Sequence, residues 1–266
     1  MKCFFDLQED AFYFEAYADM LKAAITSLQR HTQLEPHVVY DGRPNALTAW
    51  LASRGVGLIP HRCLLYPELV RLDRETGDPL YLRHGPGILL KLDLTDLCVE
   101  RGWGEETVLF CDCDVLFEGN PAGDLPDLGT SFFAAAPEDD PGAPERLNTG
   151  VLLINVAALH PYAAALREFM VRILPEAVRT SWDQDAFRRF FRHGGWKTLP
   201  PELNWKPYWG ENSLARIVHF HGPKPFLRSE IAAGRVHAAH APLLGPGFDH
   251  YCARWDEAFA EAALPR

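Results

Sequence analysis

A chain of 266 residues, 47% hydrophobic and 23% charged, has the composition of a globular protein and the length for one large α/β domain or two small ones. Its 36 acidic residues outnumber 26 basic ones, a formal charge of −10, which argues against nucleic acid or an anionic membrane as the principal partner. No apolar run reaches the length of a signal core or a membrane span, and the six cysteines form no C-x-x-C. The expectation is a cytoplasmic protein with reduced thiols, for which peripheral association with a membrane stays open.

Lys2 to Leu7 reads as a first strand. Tyr17, Met20, Leu21, Ala24, Ile25 and Leu28 then recur on one helical face. His37 to Gly42 reads as strand and turn, Ala46 to Arg54 as a helix ended by Gly55, and Val56 to Ile59 as a weak strand. Pro67 to Gly87 mixes charge, Gly and Pro and reads as loop, whereas Ile88 to Arg101 has helical spacing and stops at Gly102. After the segment around residue 112, Thr130 to Ala136 is a strand, Pro137 to Glu145 a loop and Val151 to Ile154 a buried strand. Leu166, Phe169, Met170 and Ile173 mark a helix, and Ser181 and Asp183 read as caps of another that runs to Phe191. Ile217 to Phe220 is a last short strand, and the Gly- and Pro-containing stretch at 242–247 begins a tail wrapped on the body. This alternation predicts a single α/β domain, a mostly parallel central sheet with helices on both faces.

One segment interrupts the apolar pattern. V-L-F-C-D-C-D-V-L-F, Val108 to Phe117, puts Asp112 and Asp114 one residue apart inside what is otherwise a buried strand. Unpaired buried carboxylates are costly. In an extended chain, residues i and i+2 face the same side, so the two acids converge while Cys113 turns away. A hard divalent cation at the end of a parallel strand would keep both ionised and leave positions for phosphate oxygens. The plain alternative is two exposed acids in a turn.

Four other segments have matching chemistry. In V-H-F-H-G-P-K-P-F, Val218 to Phe226, either His219 or His221 could add an imidazole to the two carboxylates. Gly222 there permits close backbone approach, and Lys224 offers a point charge to phosphate. In L-N-T-G-V-L-L-I-N, Asn148 and Thr149 precede a buried strand, and Gly150 lets a sugar or phosphate come near the backbone, or simply makes a turn. Asp183 and Gln184 of W-D-Q-D are either a helix cap or an acid and amide held in a pocket. The aromatic stretch L-N-W-K-P-Y-W-G, Leu203 to Gly210, either stacks on a sugar or packs.

Taken in order, V-L-F-C-D-C-D-V-L-F, N-T-G-V-L-L-I-N, D-Q-D and H-F-H-G-P-K-P-F resemble the retaining nucleotide-sugar glycosyltransferases of family 8, the group of glycogenin and the lipopolysaccharide galactosyltransferases. The resemblance implies a GT-A fold, with a nucleotide-binding half to about residue 120 and an acceptor half with the C-terminal tail beyond it. It implies Mn²⁺ or Mg²⁺ on Asp112, Asp114 and His219, and a UDP-hexose donor. Gly222 and Lys224 would hold the diphosphate, Asn148 and Gly150 would lie near the donor sugar, and Asp6 is the candidate nucleoside-binding acid. Asp183 and Gln184 would lie beside the anomeric carbon as the catalytic pair. The acceptor would be a glycan, a lipid-linked glycan or a protein. Family members commonly carry Arg ahead of L-K-L, where this chain has Leu89; Arg83 and His84 are the candidate substitutes. The competing functions are a nucleotide-sugar hydrolase, a nucleotidyltransferase, and a non-catalytic nucleotide- or carbohydrate-binding module.

Overall fold

A computed structural model describes residues 1–143, 145–238 and 240–264. Pro144, within the expected loop after residue 137, lies outside them. The strands are β1 (Lys2–Gln8), β2 (Glu35–Asp41), β3 (Gly57–Pro60), β4 (Thr107–Cys111), β5 (Val115–Phe117), β6 (Phe133–Pro137), β7 (Leu147–Asn155), β8 (Trp196–Thr198) and β9 (Ile217–His219). The helices are α1 (Phe14–His31), α2 (Ala46–Ser53), α3 (Tyr66–Thr76), α4 (Leu80–Arg83), α5 (Gly85–Leu89), α6 (Leu94–Glu100), α7 (Val156–Leu159), α8 (Ala163–Ala177), α9 (Asp183–Phe190), α10 (Arg228–Ala232) and α11 (Phe248–Ala262).

Seven strands form one sheet in the order β3-β2-β1-β4-β7-β6-β8, and β5 and β9 form a separate antiparallel ribbon. Pairings among β1, β2, β3 and β4 are parallel, and β7 alone runs against its neighbours β4 and β6. The sheet is therefore mostly parallel, as alternating strands and helices require. Strand alternation sorts side chains to two faces. Phe4, Phe110 and Leu152 pack with α3, α6, α8 and α9 on one side. Phe5, Leu109 and Val151 pack with α1 and α2 on the other. α11 does not wrap loosely: Tyr251 and Trp255 pack on Met20 and Ala23 of α1 beside the β5–β9 ribbon.

The expected loop from Pro67 to Gly87 is instead largely helical, as α3, α4 and α5. Pro67 and Pro86 stand in the first turns of α3 and α5, where the missing N–H has no intrahelical partner to lose. Gly77, at φ +68°, ends α3. The helix expected from Ile88 to Arg101 begins as α5, tightens into a 3₁₀ turn at Leu90–Asp93 and resumes as α6. Strand β7 starts four residues before the expected one, so Asn148, Thr149 and Gly150 lie within it rather than in a turn ahead of it.

A candidate metal centre

Asp112 and Asp114 do not continue strand β4. The chain leaves the sheet at Cys111, turns through residues 112–114 and re-enters extended structure as β5 of the ribbon. The simple i, i+2 geometry of a strand therefore does not bring the carboxylates together; the turn does. The ribbon also supplies the third group. Val115 of β5 is opposite His219 of β9, and Phe220 N–H donates to Asp114 O at 3.0 Å. One ligand-bearing atom from each of Asp112, Asp114 and His219 lies within 4.8 Å of the others. His219 Nε2 is 3.3 Å from Asp114 Oδ1 and 3.8 Å from Asp112 Oδ2.

The donor set suits a hard divalent ion. Asp114 Oδ1 is buried with no hydrogen-bond partner. His219 Nδ1 faces the side-chain oxygen of Asn204 at 3.0 Å, an acceptor that calls for a proton on Nδ1 and turns Nε2 toward the carboxylates. Two carboxylates facing one imidazole across a few ångströms form a set that a divalent cation would bridge.

Two lysines offset part of the charge. Lys91 Nζ reaches Asp112 Oδ1 at 2.9 Å and Asp183 Oδ2 at 3.1 Å. Lys224 pairs with Asp114 and donates to Phe220 O at 2.5 Å. Burial alone would raise the Asp114 carboxyl, but Lys224 and His219 outweigh it and hold it far below the usual carboxylate range. Burial alone would lower Lys91, and Asp112, Asp183 and Asp6 together reverse that and raise it. Asp6 and Asp183 are pushed up, chiefly by burial, with Lys91 opposing. Asp6, in the C-terminal half of β1, keeps a buried Oδ2 with no partner.

These groups line one cleft of about 390 Å³ at the C-terminal end of the parallel strands. Asp183 and Gln184 enter it from the first turn of α9. Neither Asp183 nor Ser181 caps that helix; the cap position is Trp182, which makes no capping bond, and Ser181 Oγ donates to Asp185 Oδ1 at 2.8 Å. Trp182 has φ 47°, strained for a bulky residue, and this kink directs Asp183 toward Lys91. Gln184 Oε1 accepts from Asn148 Nδ2 at 2.8 Å and from Thr149 N–H at 3.1 Å.

The remaining expected residues are placed as follows. Gly150 gives room to His219: a Cβ there would meet the imidazole. Gly222, at φ +95°, lies outside the cleft lining and borders a neighbouring cavity against Leu243. Leu89 is fully buried in the core, Arg83 is exposed with its guanidinium 5.0 Å over the Phe12 ring, and His84 lines the cleft. In the aromatic stretch, Lys206 Nζ, Tyr208 Oη and Trp209 Nε1 donate to the consecutive carbonyls of Pro137, Glu138 and Asp139 at 2.6, 2.6 and 2.7 Å. Those side chains grip the loop below the cleft.

Sequence reasoning missed Lys91, Glu138 and Asn204. Lys91 sits in an apolar helical run whose 3₁₀ turn swings it inward, and no spacing rule announces that. Glu138 stands in an acidic loop that reads as solvated, yet it accepts from Gln184 Nε2 at 2.5 Å and from Arg188. Asn204 was hidden among aromatics.

No protein-family model and no curated protein matches the chain. Solved structures do. The galactosyltransferase LgtC, solved with donor and acceptor sugar analogs, aligns over 99% of this chain and 97% of its own at 18% identity with a TM-score of 0.68. The glycosyltransferase GlyE of Streptococcus pneumoniae TIGR4 aligns over 98% of this chain and 63% of its own, at 18% identity and 0.62. Mouse xyloside xylosyltransferase 1 aligns over 83% and 97%, at 17% identity and 0.56. At these identities the likeness establishes the architecture: the chain has the GT-A fold of these glycosyltransferases.

Proposed function

We propose that this chain is a metal-dependent retaining glycosyltransferase that moves a hexose from a nucleotide sugar, a UDP-sugar by preference, to a hydroxyl of a glycan, lipid-linked or protein acceptor. The observation that carries this reading is the convergence of Asp112, Asp114 and His219 within 4.8 Å in a cleft of a glycosyltransferase fold. The part of the chain to about residue 120 would hold the nucleotide, and the rest would form most of the acceptor side.

Bound by Asp112, Asp114 and His219, Mn²⁺ or Mg²⁺ would supply Lewis-acid neutralisation of the departing diphosphate. The residues of the chain account for the other requirements. Lys224 carries a buried ammonium beside Asp114; charge developing on the β-phosphate oxygen is stabilised by such a group, worth about 2.7–4 kcal/mol when well placed. Asp183 projects a carboxylate into the cleft, held by Lys91 and hydrogen-bonded by Thr149. It is suited to support or attack an oxocarbenium-like anomeric carbon. Gln184 is fixed beside it by a backbone donor. Asp6, which lines the same cleft, would receive the nucleoside. Same-face attack by the acceptor hydroxyl, its proton passing to the departing phosphate, uses the same groups without a covalent link to Asp183.

The test is release of nucleoside diphosphate from UDP-glucose and UDP-galactose with Mn²⁺ or EDTA, with and without sugar acceptors. A transferase gives Mn²⁺-dependent release that rises with acceptor. Release indifferent to acceptor identifies a hydrolase, and binding without release identifies a non-catalytic module.

A further inference from the structure

A one-way chain of side-chain amides joins the catalytic candidate Gln184 to the metal candidate His219. Asn148 Nδ2 donates to Gln184 Oε1 at 2.8 Å, Asn204 Nδ2 donates to Asn148 Oδ1 at 2.8 Å, and Asn204 Oδ1 faces His219 Nδ1 at 3.0 Å. At the far end, Gln184 Nε2 donates to Glu138 Oε1 at 2.5 Å. Nothing in this chain is free to turn round. Backbone N–H groups only donate, so Thr149 N–H, at 3.1 Å, fixes the oxygen end of Gln184, and Gly150 N–H, at 3.1 Å, fixes that of Asn148. Asn204 must then turn its amino group to Asn148 and its oxygen to His219. An amide oxygen only accepts, so Nδ1 of His219 carries a proton and donates it.

The arrangement is dry. Asn204 is 0% exposed, Asn148 and His219 3%, and Gln184 5%, so water does not stand in for a lost partner. Its base is fixed as well: the Glu138 carboxylate is paired with Arg188, and the backbone on either side is gripped by Lys206, Tyr208 and Trp209.

We propose that Asn204 is a positioning residue for the metal site: it pins the His219 proton to Nδ1 so that Nε2 is presented as a ligand, and the relay behind it ties that orientation to Gln184. This rests on the metal-dependent reading above. It couples the two halves of the site, because Asn148 cannot reorient toward a sugar without disturbing both Gln184 and Asn204.

The test is Mn²⁺ titration of the full chain by electron paramagnetic resonance, without nucleotide, for the parent, Asn204→Leu and Asn204→Asp. Loss of the acceptor in Asn204→Leu is expected to weaken Mn²⁺ binding roughly 10–100-fold. Asn204→Asp restores an acceptor for Nδ1 and should recover most of the affinity. Parent-like affinity in Asn204→Leu, or equal losses in both variants, overturns the relay while the metal site stands. Absence of Mn²⁺ binding by the parent instead removes the metal reading itself. Nitrogen-15 spectra of the Mg²⁺-loaded parent, assigned with His219→Gln, test the same point without relying on a variant's folding. A proton on Nδ1 is expected, and a proton on Nε2 overturns the proposal.

Discussion

Gly150 and His219 share one volume: a Cβ on the glycine would lie 2.1 Å from Cε1 and 2.5 Å from Nδ1 of the imidazole. The glycine stands in mid-strand, outside the positive-φ glycines, so packing rather than backbone conformation explains it. Strand β7 leaves out a side chain at the one point where the ring must stand over Asp112 and Asp114.

Gly150→Ala should therefore displace His219 rather than unfold the sheet. The expected stability loss is about 1–3 kcal/mol, in the range of overpacked cores. Mn²⁺ affinity should fall much further than stability does, and a metal titration beside a urea melt separates the two.

Asp114→Asn should abolish metal binding and metal-dependent turnover. It also strands the Lys224 ammonium, whose partner Asp114 is 6% exposed. Removing one member of a buried pair costs about 3–5 kcal/mol. Lys224→Met added to Asp114→Asn should recover part of that loss in a double-mutant cycle. Losses that simply add would show that the pair is not coupled.

Asp183→Asn separates chemistry from metal binding. Lys91 keeps Asp112 as a partner, so the variant should fold and titrate Mn²⁺ like the parent. Transfer should drop by on the order of 10²-fold or more if the carboxylate supports the anomeric carbon. Initial rates at saturating donor measure this.

Lys206 gives a pH signature away from the metal site. It is fully buried, its Nζ donates to Pro137 O, and burial pulls its ammonium well below the ordinary value of 10.5. Between the folded and ordinary values the unfolded chain binds more protons, so stability contributed by this group rises with pH. The parent should gain melting temperature relative to Lys206→Met as pH rises from about 6 to about 9. A difference that stays flat or shrinks would contradict the buried-amine assignment.

Legibility in the sequence followed range. The first strands and α1 announce themselves through local periodicity, and two acids inside an apolar run mark the site because buried charge needs a reason. The Pro and Gly residues between 67 and 87 were misread because the same residues that break a helix interior also start and stop short helices. Asp183 reads either as a cap or as a pocket acid because capping and ligand-facing acids share a position at a helix start; only the pairing with Lys91 tells them apart. Lys91, Glu138 and Asn204 depend on contacts between distant segments: a 3₁₀ turn against a strand end, a loop against α9, and an aromatic stretch against β9. No single window of sequence contains both partners. The reversal of β7 was invisible for the same reason, since an apolar strand reads alike in either direction.

The most direct measurement is the melting temperature of the chain with UDP in the presence of Mn²⁺ or of EDTA, repeated for His219→Ala. Linkage gives about 2.7 kcal/mol of stabilisation when free ligand is at 100 times its dissociation constant. The expected result is a rise in the parent only when UDP and Mn²⁺ are present together, and its loss in His219→Ala. An equal rise in EDTA, or an undiminished rise in His219→Ala, would contradict a metal-borne nucleotide site on Asp112, Asp114 and His219.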